Sequence, residues 1–142
     1  LVKNGWQDIQ AFFNPETEQM QLAYSLRDTT GINNSSLYWQ SKLIYLKKEF
    51  KEITVLLKVA FIKEADGRVG VRVQIHPDPE EIYLPTNLKL ALLFDSEVLE
   101  SVTSGKSSLD IELPYFKCQL ETKFCIEITL DNSSHVEKFY IY

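Results

Sequence analysis

The stretch "ITVLLKVAFIKEADGRVGVRVQIH", residues 53–76, holds two apolar runs on either side of an Asp-Gly pair. Apolar side chains occupy both faces of the first run, which predicts a strand that is covered on both sides and lies centrally in its sheet. In the second run, Val69, Val71, Val73 and Ile75 alternate with polar or small residues, as in a half-buried strand. The stretch therefore predicts an antiparallel β-hairpin.

The length of the connecting loop decides which residues of this hairpin face each other. A two-residue turn at Asp66 and Gly67 would place Ile75 opposite Lys58, whereas a three-residue loop over residues 65–67 matches apolar residues throughout. We predict the longer loop, because a shift by one residue would turn the whole apolar set to the other face. The expected pairs are Val71 with Phe61, Val73 with Val59, and Ile75 with Leu57. Gly67 suits the left-handed position that such a loop requires.

The Asp-Gly pair is also found in ligand-binding loops. The stretch lacks the repeated oxygen ligands of a calcium loop. It also lacks the Lys-Ser/Thr pair and the following helix of a phosphate loop. We therefore assign Asp66 and Gly67 a backbone role, and we expect Glu64 and Arg68 to close the turn as a surface ion pair.

The rest of the chain continues the pattern of short strands separated by turns. Alternating segments and turn residues predict about nine strands, over residues 19–27, 37–46, 53–62, 69–76, 88–94, 98–103, 109–113, 124–131 and 136–142. One short helix is predicted within residues 1–15, capped by Asn4 and ended by Asn14 and Pro15. No crossover helix separates the strands, so we predict an all-β, antiparallel β-sandwich of the immunoglobulin-like kind.

Length and charge restrict the class of protein. A chain of 142 residues, 44% of them apolar, is sized for a single domain over residues 1–142 with its own core. The net charge is −5 and the lysines are scattered, which argues against nucleic acid as the main partner. No apolar run approaches the ~20 residues that span a bilayer. Because the chain starts at Leu1 and its one methionine is Met20, we expect a piece of a longer protein.

Residues that carry metal or thiol chemistry are few. His76 and His135 have no ligand-like spacing to Cys118 or Cys125. We interpret both histidines as surface imidazoles, and we predict no metal site. We expect the two cysteines to be reduced thiols, with a disulfide across a strand pair as the alternative.

The sequence also shows no residue pattern typical of acid–base or nucleophilic catalysis. The paired carboxylates Glu80 with Glu81, and Asp110 with Glu112, fall on a loop or an exposed strand face, where a carboxyl is a poor acid or base. No serine stands in a Gly-x-Ser-x-Gly turn. We therefore predict no catalytic residues and no cofactor, and we expect that the protein is not an enzyme.

Aromatic residues make up 12% of the chain, and several fall at positions that predict exposure. These are Tyr38, Tyr45, Tyr83, Tyr140 and Tyr142. Exposed tyrosines are typical of protein-binding hot spots and of surfaces that stack on sugars. Our leading hypothesis is a protein-interaction or scaffolding module, and the alternative is a β-sandwich that binds carbohydrate or another small ligand.

Several segments together resemble a known family. The stretches "VGVRVQIHP" (residues 69–77) and "YLPTNLKLALL" (residues 83–93), with "NGWQ" (residues 4–7), are similar to the carboxy-terminal part of the cyanobacterial domain-of-unknown-function family 1822. The resemblance implies a cyanobacterial, cytoplasmic protein and carries no catalytic residues. The chain departs from the family pattern after Phe94 and over residues 118–123, where a glycine-containing turn is expected.

Overall fold

The computed structural model describes residues 7–8 and 37–142, which contain ten β-strands and no helix. The strands are β1 Gln7–Asp8, β2 Leu37–Lys48, β3 Lys51–Lys63, β4 Val69–Pro77, β5 Lys89–Phe94, β6 Glu97–Thr103, β7 Ile111–Glu112, β8 Phe116–Cys118, β9 Lys123–Leu130 and β10 Ser133–Tyr140. The predicted all-β class is confirmed for this part of the chain.

The strands form two antiparallel sheets. Sheet A has the order β1-β2-β3-β4-β7, and β8 also pairs with β4. Sheet B has the order β10-β9-β5-β6. The central position predicted for β3 is confirmed, because β3 lies between β2 and β4 and its residues 55–60 are all buried.

The β3–β4 hairpin has the predicted register. Phe61 pairs with Val71, Val59 with Val73, and Leu57 with Ile75. Gly67 has a φ of 88°, the left-handed conformation that the three-residue loop was expected to need. The alternation of apolar residues was therefore enough to choose between the two loops.

The ion pair predicted across this turn is wrong. Arg68 pairs with Asp66, at 2.7 Å between Nη2 and Oδ2, and not with Glu64. The Asp66 carboxylate already accepts the Arg68 N–H at 3.0 Å, so it lies next to the guanidinium. Glu64 instead accepts a hydrogen bond from the hydroxyl of Tyr115.

Two further differences concern short elements. The predicted strand over residues 109–113 is only Ile111–Glu112, and Leu109, expected to face inward, is 61% exposed. The strand is short because β7 pairs with β4 only at Gln74 and Ile75. The three-residue β8 was not predicted, since a segment of this length shows no alternation.

Only two residues of the predicted amino-terminal helix, Gln7 and Asp8, are described by the structure. Gln7 and Asp8 are extended and pair with Ser41 and Gln40 of β2, so the helix does not run through these positions. A backbone pairing partner on β2 overrides the apolar periodicity there. The rest of that predicted helix and the predicted strand over residues 19–27 lie outside the described residues.

The inward side chains of both sheets meet in one buried cluster. Phe61 of β3 lies 6.1 Å from Phe139 of β10, and Phe116 of β8 lies 5.4 Å from Phe124 of β9, measured between ring centroids. Each fully buried aliphatic side chain, such as Ile126, stabilises the fold by about 2 kcal/mol.

Polar contacts join the edges of the two sheets where β2 lies near β10. The Lys42 Nζ lies 3.0 Å from both carboxylate oxygens of Glu137. The Nε2 of His135 lies 2.7 Å from Oε2 of the same carboxylate, and the backbone N–H of Lys47 donates to the Ser133 hydroxyl at 3.1 Å. We call these five residues the seam.

Candidate functional site

The connection over residues 78–88 carries the chain from sheet A to sheet B. It begins with a turn, in which the Asp78 side chain accepts the N–H of Glu80 at 3.0 Å and its carbonyl accepts the N–H of Glu81 at 2.8 Å. This is the proline-punctuated, strand-free segment that the sequence predicted, and it leaves both glutamates exposed.

The second half of the connection is fixed by Ser104, which directly follows β6. The buried Ser104 hydroxyl accepts the N–H of Leu88 at 2.9 Å and donates to the carbonyl of Pro85 at 2.5 Å. The Ser104 carbonyl also accepts the N–H of Asn87 at 3.1 Å. The Leu84 side chain is buried in the core, so the residues just before it are held in place on the surface.

An open cleft lies between this connection and the start of β3, with a volume of about 310 Å3. Tyr83 lines the cleft and is 50% exposed. Tyr45 is 58% exposed and faces Thr54, another lining residue, across the β2–β3 pair. We call this site the tyrosine cleft; Tyr45 lies beside it, and its lining residues are Lys51, Glu52, Ile53, Thr54, Pro77, Asp78, Glu80, Glu81, Tyr83, Leu84 and Pro85.

The tyrosine cleft is negatively charged. Its lining has four carboxylates, those of Glu52, Asp78, Glu80 and Glu81, and one amine, that of Lys51. None of the four carboxylates belongs to an ion pair within the described residues. With these carboxylates and the hydroxyls of Thr54 and Tyr83, the lining can bind cations and hydrogen-bond donors.

The two histidines lie in different sheets, each with its own partner. His76, on β4, has its Nε2 2.8 Å from Oε1 of Gln74, and burial, reinforced by the charge of Lys58, lowers its pKa. His135, on β10, contacts Glu137 in the seam. Both imidazoles are partly buried, with 32% of the His135 side chain exposed, and each contacts a residue two positions away on its own strand. In the described ranges, 7–8 and 37–142, no three His, Cys, Asp or Glu residues are grouped as metal ligands.

Both cysteines are free thiols, as expected from the sequence. Cys118 is part of the core cluster, and burial raises the pKa of its thiol. Cys125 is partly buried on β9, on the face opposite to the core residues Phe124 and Ile126. The Cys118 thiol is therefore protonated at neutral pH and a poor nucleophile.

Four of the five tyrosines predicted to be exposed are exposed, namely Tyr45, Tyr83, Tyr140 and Tyr142; the side chain of Tyr38 lies outside the described part. Of these, Tyr83 lines the cleft, and Tyr45 lies beside it, opposite Thr54. Tyr140 and Tyr142 contact each other elsewhere, with ring centroids 5.2 Å apart.

The exposed hydrophobic residues that sequence reasoning missed include Phe50, Ile82 and Tyr115. Phe50 and Ile82 stand among charged residues in turns, a position that could have signalled their exposure. The cleft itself had no signal in the sequence, because β3, β4 and the connection form it together.

The fold and the tyrosine cleft define an all-β protein of two antiparallel sheets with an acidic surface site. The chain matches the model of the family described as "Protein of unknown function (DUF1822)" over residues 1–140, and it belongs to that family. No curated protein and no solved structure matches the chain. Among the described residues, no helix has the length and apolar character needed to cross a membrane.

Proposed function

We propose that this protein is a non-catalytic interaction module that docks a partner protein at the tyrosine cleft. The observation that carries the proposal is the pair of half-exposed tyrosines, Tyr45 and Tyr83, beside carboxylates that have no ion-pair partner in the described part of the chain. The wall that presents Tyr83 is fixed in advance by Ser104, which reduces the entropy lost on docking.

The chemistry of the cleft favours a partner surface with lysine or arginine side chains. A basic side chain can stack on a tyrosine ring and at the same time approach a carboxylate. Tyrosine also offers a large contact area at a small cost in side-chain entropy, which is why it is enriched in hot spots. Electrostatic attraction to the four cleft carboxylates would raise the rate of association.

Affinity capture from a lysate of the source cell tests the proposal, with the full-length protein as bait. We expect a partner that the wild-type bait retains, that Tyr83→Ala loses, and that Tyr142→Ala still retains. Tyr142 is a matched control because it is exposed and lies outside the cleft. A partner that Tyr83→Ala and Tyr142→Ala affect equally, or no stable partner, would contradict the proposal.

Carbohydrate binding is the second candidate, and the same cleft favours it. Tyrosine rings stack on sugar faces, and carboxylates accept hydrogen bonds from sugar hydroxyls. Binding on a glycan array that Tyr83→Ala abolishes would select this function over protein docking. An array without signal would dismiss it.

We also propose that the two sheets form a single immunoglobulin-like β-sandwich domain over residues 1–142. The shared core and the ring contacts between strands of different sheets support this arrangement. The resemblance described above further suggests a cyanobacterial source, a cytoplasmic location and a position in the carboxy-terminal part of a longer protein. An experimental structure of the full-length protein tests the domain assignment.

A further inference from the structure

The outer edges of the two sheets differ in how they are occupied. The edges of β2 and β10 lie together at the seam, and β1 also pairs with β2. The far side of β4 is paired with β7 and β8. Within the described part of the chain, β6 pairs only with β5, and six of its seven residues are exposed. In the described part of the chain no strand pairs with the outer edge of β6, so its main-chain donors and acceptors have no strand partner there.

A β-bulge divides this edge. The register between β5 and β6 shifts between Leu92 and Leu93, which leaves Leu99 as the extra residue. Beyond it, residues 100–103 pair regularly with residues 92–89. Because Glu100 and Val102 pair with the core residues Leu92 and Leu90, they point to the core side of the sheet. The bulge thus limits long edge-to-edge pairing but leaves a regular stretch of four residues.

We propose that this regular part of the β6 edge docks an extended strand of a partner protein, with a lysine or arginine beside Glu100 and an aliphatic residue beside Val102. Addition of a strand to an open sheet edge takes its affinity from main-chain hydrogen bonds and its specificity from alternate side chains. β6 contains Glu97 and Glu100 and no lysine or arginine, so its charge favours a basic strand.

A second copy of this chain is the less suitable occupant. Pairing β6 with itself would bring Glu97 and Glu100 of both copies to one shared edge, with no positive charge on either strand. Like charges close together across a strand pair destabilise it. The acidic strand therefore selects a basic partner and opposes self-association.

Peptide titration of the full-length, 15N-labelled protein tests the proposal, with the heptapeptide TKTVTKT as the probe. We expect it to slow hydrogen exchange of the β6 amides. The control peptide PKPVPKP has the same charge but lacks the main-chain N–H at every second residue and cannot form a ladder along that edge, so we expect a much smaller effect from it. Glu100→Lys should weaken binding of the first peptide about fivefold, which corresponds to one reversed cross-strand charge pair.

Glu80→Lys separates this surface from the tyrosine cleft, because Glu80 lines the cleft and no residue of β6 does. We expect it to leave binding of TKTVTKT unchanged. The proposal is overturned if the β6 amides are unaffected at about 1 mM peptide, if PKPVPKP binds equally well, or if Glu80→Lys and not Glu100→Lys weakens binding. Dimerisation through β6, seen by sedimentation, would also overturn it.

Discussion

Glu121 adopts a backbone conformation that suits glycine better than any other residue. Its φ is 67°, and it lies in the turn before β9, where the family pattern led us to expect a glycine. Its N–H donates to the carbonyl of Ile141 at 2.5 Å, which helps to hold this conformation. A residue with a Cβ in the left-handed region costs roughly 1–2 kcal/mol.

We expect Glu121→Gly to raise the free energy of unfolding by roughly 0.5–1 kcal/mol, which is the relieved strain less the extra entropy that glycine loses on folding. Urea denaturation measures the change. Glu127→Gly is the matched control: Glu127 lies inside β9, where a glycine weakens the strand, so this variant should be less stable. Destabilisation by Glu121→Gly would contradict the account of the turn.

Among the single elements, the apolar pattern was sufficient to predict the register of the β3–β4 hairpin but not the short edge strands β1 and β8. The β3–β4 register follows from alternate residues, and a two-residue turn at Asp95 and Ser96, with both φ values positive, joins β5 to β6. β1 and β8 contain two and three residues, too few for a pattern, and depend on partner strands supplied by the fold.

The seam provides a prediction at this scale. The side chains of Lys42 and Glu137 are only 15% and 11% exposed, so removing the Lys42 charge leaves the Glu137 carboxylate poorly solvated, with the His135 imidazole beside it. We expect Lys42→Met to lower the free energy of unfolding by about 2–3 kcal/mol.

The double substitution Lys42→Met with Glu137→Leu should recover most of that loss, because it removes both members of the buried ion pair. Denaturation of the two single variants and the double variant gives the coupling free energy directly. Additive losses would show that the two side chains do not act as a pair.

At the scale of the whole molecule, His76 links stability to pH. Burial lowers the pKa of its imidazole in the folded state, and the charge of Lys58 adds to this, against the opposing carboxylates of Asp110 and Glu112. The unfolded chain, with a histidine pKa of about 6.5, therefore binds the proton more tightly than the folded protein. The contribution of the neutral His76 imidazole to the free energy of unfolding is therefore fully present above about pH 6.5 and is lost as the pH falls below that value.

We expect His76→Gln to remove this loss, because glutamine can still hydrogen-bond to Gln74 and does not take up a proton in this range. Urea denaturation of both proteins between about pH 8 and pH 5 measures the difference. Wild type should lose more stability than the variant as the pH falls. Parallel curves would show that the imidazole is not the group responsible.

The candidate site shows where sequence reasoning stops. The exposure of Tyr45 and Tyr83 was predicted from the positions of these residues in the pattern, and it is confirmed. That Tyr45 lies beside the cleft that Tyr83 lines was not predictable, since Tyr45 belongs to β2 and Tyr83 to a loop between the sheets. The cleft depends on Ser104 fixing that loop, a contact with no periodic signal.

The all-β class of the described residues, the central strand and the hairpin register could be read from the sequence alone. Each of these follows from local spacing, because a strand repeats every two residues and a turn demands particular backbone angles. Which strands became edges, which charges met at the seam and which residues lined the cleft depended on the tertiary structure. These features join residues that are distant along the chain. Such contacts depend on which surfaces folding brings together, and the local alternation of apolar residues carries no information about that.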